Sequence, residues 1–135
     1  MVMTDLNDEQ VEDLGTRLST FDKNHITSQM KGCIQIGMEE NGKLIAGLDA
    51  CITAFKILYV STVFVDEKYR RKGIGTQLIH EMEKRAAAMG VNTIRLDTFN
   101  WQGKDFYEAL GYTPVGHYDN DEDGYSEYFF LKRLS

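Results

Sequence analysis

Long apolar runs are missing from this 135-residue chain, and no stretch approaches the roughly 20 residues that cross a bilayer, so no membrane helix is expected. The start, Met1-Val-Met-Thr-Asp-Leu-Asn-Asp-Glu9, is too acidic and too poor in apolar residues for a secretory leader. Cysteine is scarce. Cys33 and Cys51 make no Cys-x-x-Cys and suggest no disulfide framework; both fall in apolar, strand-like runs and are expected to be small core thiols in a cytoplasmic protein. A positive charge balance is missing too. The formal net charge is −6, which speaks against a nucleic-acid-binding module. His25, His80 and His117 lack ligand spacing, so no metal site is expected. No linker, repeat or low-complexity segment divides the chain. With 42% hydrophobic and 27% charged residues it reads as one globular domain over residues 1–135.

What is present is unevenly distributed. Lys68, Arg70, Arg71 and Lys72 crowd a short glycine-containing loop, whereas Asp105 to Leu131 holds no Lys or Arg but seven carboxylates. Either the carboxylates solvate a loop, or the two regions attract ligands of opposite sign. The run Asp119-Asn-Asp121-Glu-Asp123-Gly124 imitates the opening of a calcium-binding loop. The acid due at the twelfth position is Phe130, however, and strands rather than helices are expected on both sides, so an acidic turn is the reading.

Periodicity supplies the elements. Asn7 to Phe21 is helical, with Val11, Leu14, Leu18 and Phe21 on one face and Asn7 with Gln10 resembling a capping box. Lys23 to Lys31 is polar and irregular, with room for one more helical turn. Cys33–Met38 and Leu44–Ile52 read as strands of a hairpin turned at Asn41-Gly42. Ile57–Val65 is a third strand, with Tyr59, Ser61, Val63 and Val65 expected on one side. Ile74, Leu78, Ile79, Met82, Ala86 and Met89 form a helical stripe stopped by Gly90. Thr93–Phe99 is a strand, Gln102–Leu110 a short helix stopped by Gly111, and Tyr112–Gly116 and Tyr125–Leu131 are the last strands. The order α, β, β, β, α, β, α, β, β predicts an α/β fold with a mixed sheet.

The stretch from Val63 to Leu78 carries the chemistry. A strand, a basic loop with two glycines and a helix start together make an anion site: glycine permits close backbone approach, and the first N–H groups of a helix lack intrahelical partners. A Walker loop needs Gly-x-x-x-x-Gly-Lys-Ser/Thr, which is absent. A dinucleotide fingerprint needs a third glycine, but Gly73-Ile-Gly-Thr-Gln-Leu78 lacks it, and Asp66 to Lys72 separate strand from helix.

A third reading fits better. Arg70-Arg-Lys-Gly73-Ile-Gly75 resembles the Gln/Arg-x-x-Gly-x-Gly/Ala signature of the GCN5-related N-acetyltransferase (GNAT) superfamily. About 25 residues downstream, Asn100-Trp-Gln-Gly103-Lys-Asp-Phe106-Tyr107-Glu-Ala-Leu-Gly111-Tyr112 resembles that family's Asn-x-x-Ala-x-x-Phe-Tyr-x-x-x-Gly-Phe/Tyr block. Gly103 replaces the usual alanine and Tyr112 the commoner phenylalanine. The resemblance implies a single-domain fold whose mixed, mostly antiparallel sheet splays at an acetyl-CoA site and is flanked by helices. It implies that Val63, Phe64 and Val65 face the pantetheine arm and thioester through their main chain. Backbone N–H groups of Arg71, Lys72, Gly73, Gly75 and Thr76 would hold the pyrophosphate, with Arg70 at the loop entrance. Asn100 and Phe106 would contact the pantetheine or adenosine end. Tyr107 matches the general acid that protonates the leaving coenzyme A thiolate. The family's first strand is expected to be short or missing, since only Met1 to Leu6 precedes the first helix.

The chemistry agrees. A tyrosine of pKa about 10 keeps its proton at neutral pH and can stabilise a thiolate. An acceptor amine of the lysine type is more than 99% protonated at pH 7, an offset of about 4.6 kcal/mol, so a proton acceptor is required. Asp49, Asp97 and Glu127 lie on strands and are candidates; none is assigned. The expected activity is direct transfer of acetyl from acetyl-CoA, as co-substrate, to a primary amine of a small, cationic molecule or peptide, with no metal, nucleic acid or membrane partner. The alternative is a non-catalytic acyl-CoA-binding or regulatory protein. A homodimer is also expected to be open to this chain, with Tyr125–Phe130 offering a surface.

Overall fold

In the computed structural model, which describes residues 1–28 and 30–134, the elements are α1 (Asp8–Asp22), β1 (Cys33–Glu40), β2 (Lys43–Ala54), β3 (Ile57–Val65), α2 (Ile74–Met89), β4 (Thr93–Phe99), α3 (Lys104–Ala109), β5 (Thr113–Asn120) and β6 (Tyr125–Arg133). A 3₁₀ turn, Glu67–Tyr69, sits between β3 and α2. The element order is the expected one. The six strands form one sheet in the order β1-β2-β3-β4-β6-β5, and every neighbouring pair is antiparallel except β3 with β4. Residues 1–7 form no strand.

Local chemistry sets the boundaries. Asn41 and Gly42 both take positive φ (54° and 76°), as a two-residue hairpin turn requires. Asn7 caps α1: its side-chain oxygen accepts from the Gln10 N–H at 2.8 Å, while the Gln10 side chain accepts from the Asn7 N–H at 3.0 Å. Gly90, in the left-handed region at φ 97°, ends α2. The acidic run near the C-terminus is the β5–β6 turn. Asn120 starts it by accepting from the Asp123 N–H through its side chain.

One face of the sheet is covered. Leu78, Ile79, Met82 and Ala86 of α2 pack on Ile34, Leu48, Ala50, Leu58 and Val60, and this core continues through Ile94, Leu96 and Phe130 to Tyr107 and Tyr112. Fully burying a side chain such as Leu58, Ile79 or Met82 contributes about 1.5–3 kcal/mol. None of the described helices packs on the other face.

Two expectations change. Val63 and Val65 share the core side with Leu58 and Val60, not with Tyr59, because the register against β2 shifts between Asp49↔Thr62 and Ala50↔Val60. The extra residue, Ser61, is a β-bulge that turns the rest of the strand over. Cys33 and Cys51 are not core thiols: they are directly opposite on β1 and β2, 4.0 Å apart at Cα, and joined by a disulfide. Their sequence separation of 18 hid what the hairpin register brings together. Helix α1 forms where expected, with its capping box, and buries none of its residues. Of Lys23–Lys31, the described part holds a turn at residues 23–25 and no further regular element; Gln29 lies outside the described residues. No helix among the described residues is long and apolar enough to cross a membrane.

Candidate active site

The sheet splits where the parallel pairing of β3 with β4 runs out. β3 and β4 pair at Ile57↔Thr93, Leu58↔Ile94 and Tyr59↔Arg95 and no further. Beyond that point β3 follows β2 as far as Val65, and β4 follows β6 as far as Phe99. Each strand keeps its other neighbour, so the two diverge. Main-chain groups along one edge of β3 are left without a strand partner, and a cleft of about 1190 Å³ opens between the strands. Val63, Phe64 and Val65 line it, as do Arg70, Arg71, Gly73, Gly75, Thr76, Phe106 and Tyr107. Sites expected from residues more than 40 positions apart are therefore brought together. Lys72 and Asn100 lie outside its lining.

The basic loop is tied to the end of β3 and leaves its backbone donors free. The Arg70 Nε donates to the Val65 carbonyl at 2.8 Å, and its guanidinium lies 5.2 Å from the Phe64 ring centre, which ties the loop to the end of β3. Arg71 and Gly73 both take positive φ (62° and 80°), a conformation that glycine adopts without strain. The first helical bond of α2 runs from the Gln77 N–H to the Gly73 carbonyl. Among the described residues, the N–H groups of Arg71 to Thr76 have no hydrogen-bond acceptor. Such a row of free donors at a helix start, beside cationic side chains, suits a phosphate group. Gly75 also has a packing role: a Cβ there would lie 3.2 Å from Cζ of Phe106, so its absence lets α2 start against that ring.

Tyr107 closes the inner end. It is buried, with its ring edge-on to Phe106 (5.1 Å) and Tyr112 (5.8 Å), and its hydroxyl makes no hydrogen bond among the described residues. Burial pushes its pKa up to about 12, so the hydroxyl keeps its proton over the whole physiological range. Gly103 departs from the resembled motif for a visible reason. A Cβ at that position would sit 3.1 Å from the Tyr107 ring. The Gly103 N–H is held by Thr98 Oγ1 at 3.2 Å, and behind Tyr107 the Tyr112 hydroxyl donates to Glu83 at 2.8 Å. Lys132 completes this bracket, 3.0 Å from Glu83 and donating to the Leu110 carbonyl at 2.9 Å. Helix α2, the end of α3 and β6 thereby fix the tyrosine's platform.

Of the three carboxylates considered as proton acceptors, only Asp97 lines the cleft; it accepts from the Tyr59 hydroxyl at 2.9 Å. Asp49 accepts from the Gln35 side chain and Glu127 from Tyr118. Asn100 joins strand ends, accepting from the Ser126 N–H at 2.8 Å while its own N–H donates to the Ser126 carbonyl at 3.0 Å. Thr98 and Trp101 also line the cleft and were not singled out from the sequence. Trp101 stood inside the Asn100–Tyr112 block, and Thr98 was legible only as the inward alternate of Asp97 on β4.

Known proteins share this architecture. A 1.9 Å crystal structure of an acetyltransferase from Bacillus cereus ATCC 14579 superposes with a TM-score of 0.93 at 28% identity, covering 99% of this chain and 98% of that one. An aminoglycoside 6'-N-acetyltransferase solved with coenzyme A has a TM-score of 0.65 over 98% of this chain and 97% of that one; at 19% identity it shows the fold alone. In sequence, the blasticidin-S acetyltransferase of Streptomyces morookaense is 28% identical over 96 residues, 70% of each chain. Against L-ornithine N5-acetyltransferase NATA1 of Arabidopsis thaliana, 34% identity extends over 39% of this chain but only 24% of that protein. Residues 2–112 match the Acetyltransferase (GNAT) family, and on this match and the geometry above the chain belongs to that family of acetyltransferases.

Proposed function

We propose that this enzyme transfers an acetyl group from acetyl-CoA directly to a primary amine of a small, cationic molecule or peptide, with Tyr107 as general acid. The observation that carries the donor half is the set of free N–H groups on Arg71 and on Gly73 to Thr76, residues that line the same cleft as Tyr107. It fits a pyrophosphate, and the open edge of β3 at Val63–Val65 fits an extended arm running from there toward the tyrosine. When bound, acetyl-CoA supplies an activated thioester.

The chain's own residues do the rest. Main-chain groups of Val63, Phe64 and Val65 orient the thioester end, and fixed backbone dipoles of this kind favour charge that develops in the transition state. Tyr107 gives its hydroxyl proton to the departing sulfur. Asp97 takes the proton that the acceptor ammonium must lose, directly or through water, with the Tyr59 hydroxyl holding its carboxylate in place. A carboxylate in that position also suits a cationic acceptor. Carboxylate and tyrosine work on two different protons, so neither has to be recycled within the transfer.

The elevated pKa fixes the expected pH behaviour. A tyrosine whose folded pKa lies above its unfolded value of about 10 contributes stability below pH 10 and loses it as pH rises toward about 12. Loss of the Tyr107 proton therefore sets no limit on turnover below pH 10. The test is Tyr107→Phe, which keeps the ring packing and removes the donor. Free-thiol release should fall by about 10²–10⁴-fold in kcat, while calorimetric affinity for acetyl-CoA changes little. An unaltered kcat removes Tyr107 from the mechanism.

A further inference from the structure

Helix α1 is fully formed and capped, yet its apolar stripe faces solvent: Val11, Leu14, Leu18 and Phe21 are 57%, 50%, 61% and 68% exposed. Its C-terminal end meets the body where Ser19 and Asp22 border a cleft with Cys33 and Ile52–Ala54. The placement is not peculiar to this chain. The 32 residues before β1 belong to a chain of 135, so a TM-score of 0.93 over 99% of it is not reachable unless they lie alike in the Bacillus cereus structure. Among the described residues, no packing of the stripe on the chain's own body accounts for a posture kept between chains 28% identical.

The molecule carries a second uncovered apolar surface. On the sheet face opposite α2, register places Phe99 and Tyr118 on either side of Glu127, and Phe129 beside Asp97. Their rings run on in contact: Phe99 with Tyr125 at 5.6 Å, Tyr125 with Tyr118 at 6.1 Å and Tyr118 with Phe129 at 6.3 Å. Trp101, stacked on Phe99 at 4.7 Å, ends the strip at the lip of the cleft. Trp101, Tyr118 and Phe129 are exposed.

We propose that α1 of one copy packs its stripe on the aromatic strip of a second copy, and the reverse, in a closed two-fold pair. The areas match. Each surface offers on the order of 400 Å², beyond the scattered apolar exposure that needs no explanation. Two helix-on-strip contacts then bury about 1,600 Å², the size of a standard stable interface, whereas one contact falls short of it. Reciprocal exchange of an identical element also closes the assembly, because neither surface is left free to recruit a third copy.

The test uses the full chain. Leu14→Gln with Leu18→Gln breaks the stripe with residues that keep helix propensity; Tyr118→Ser with Tyr125→Ser breaks the strip. Sedimentation of the wild-type chain should give a dimer, and each variant should dissociate at least about 100-fold more readily. Far-UV circular dichroism and thermal melts establish that both variants fold. Mixing them is decisive. The stripe variant keeps its strip and the strip variant keeps its helix, so the mixture regains one of the two contacts and should associate at least about tenfold more tightly than either variant with itself. A wild-type monomer at about 100 µM overturns the proposal, since standard interfaces hold well below that concentration. A strip variant that stays dimeric, or a mixture no tighter than its components, overturns the pairing of helix with strip.

Discussion

Helices α1 and α2 are nearly the same length, 15 and 16 residues, and each has an apolar stripe with helical spacing and an identifiable stop or cap. Their fates differ completely. The stripe of α2 disappears into the core through Leu78, Ile79, Met82 and Ala86, and its first residues, with free N–H groups, line the cleft. That of α1 buries nothing within its own chain. Amphipathic period therefore specifies that a helix needs a partner without saying which one. What separates the two is connection. Helix α2 crosses between the parallel strands β3 and β4 and must lie against the sheet to do so, whereas α1 hangs from the segment 23–32 ahead of β1.

The largest effect comes from cutting equal volumes out of each stripe. Met82, fully buried on α2, should lose about 2–5 kcal/mol of stability on truncation to alanine. Leu18→Ala on α1 removes a side chain of similar size and should change the monomer's stability by no more than about 0.5 kcal/mol. Urea unfolding at a dilution where the chain is monomeric checks both. Equal losses would mean that α1 folds back on its own sheet in solution.

Most of the fold was legible because its signals are local. Asn41-Gly42, Gly90 and Gly111 mark turns and stops by backbone conformation alone, and the strand Ile57–Val65 has the expected bounds. The basic side of the cleft was legible for the same reason, since a basic glycine loop at a helix start is one contiguous feature. What escaped depends on register between distant segments. The bulge at Ser61 turned over the outer half of β3, the pairing of Cys33 with Cys51 appears only once β1 and β2 are aligned, and Asp97 stands out from Asp49 and Glu127 only after β3 and β4 part. Asn100 lay within a contiguous motif, yet its side chain is engaged in joining β4 to β6.

Glycines sharpen the contrast between the helices at an intermediate scale. Gly75→Ala in α2 gains helix propensity worth about 1 kcal/mol but sets a Cβ 3.2 Å from Phe106, a contact that ring must yield to. The two terms nearly cancel in stability. They do not cancel in function, because the yielding ring and the helix start both line the cleft, and acetyl-CoA affinity should fall about tenfold, equivalent to about 1.4 kcal/mol. Gly15→Ala in α1 meets nothing within 4 Å, so only the propensity term acts and affinity should not move. Calorimetric titration of both variants with acetyl-CoA decides whether Gly75 is there for close approach. A Gly75→Ala variant with unchanged affinity removes that role.

The smallest effect is at the cap. Asn7→Ala removes the acceptor for the Gln10 N–H and one half of a reciprocal pair of bonds, a local loss of about 1 kcal/mol. In a helix packed like α2 such a loss would be added to the global unfolding free energy. In α1 it has no core to act on. A free helix of 15 residues is at the margin of stability in water, so a loss of that size shifts it toward coil. For the monomer the expected outcome is a drop in helical ellipticity with no change in the unfolding midpoint. In the paired molecule the helix is ordered by its partner, and the same substitution should appear as weaker association, because forming the contact then includes re-forming the helix. If the midpoint of the dilute monomer moves by the full local amount, α1 is coupled to its own core, and the difference between the two helices is smaller than their burial indicates.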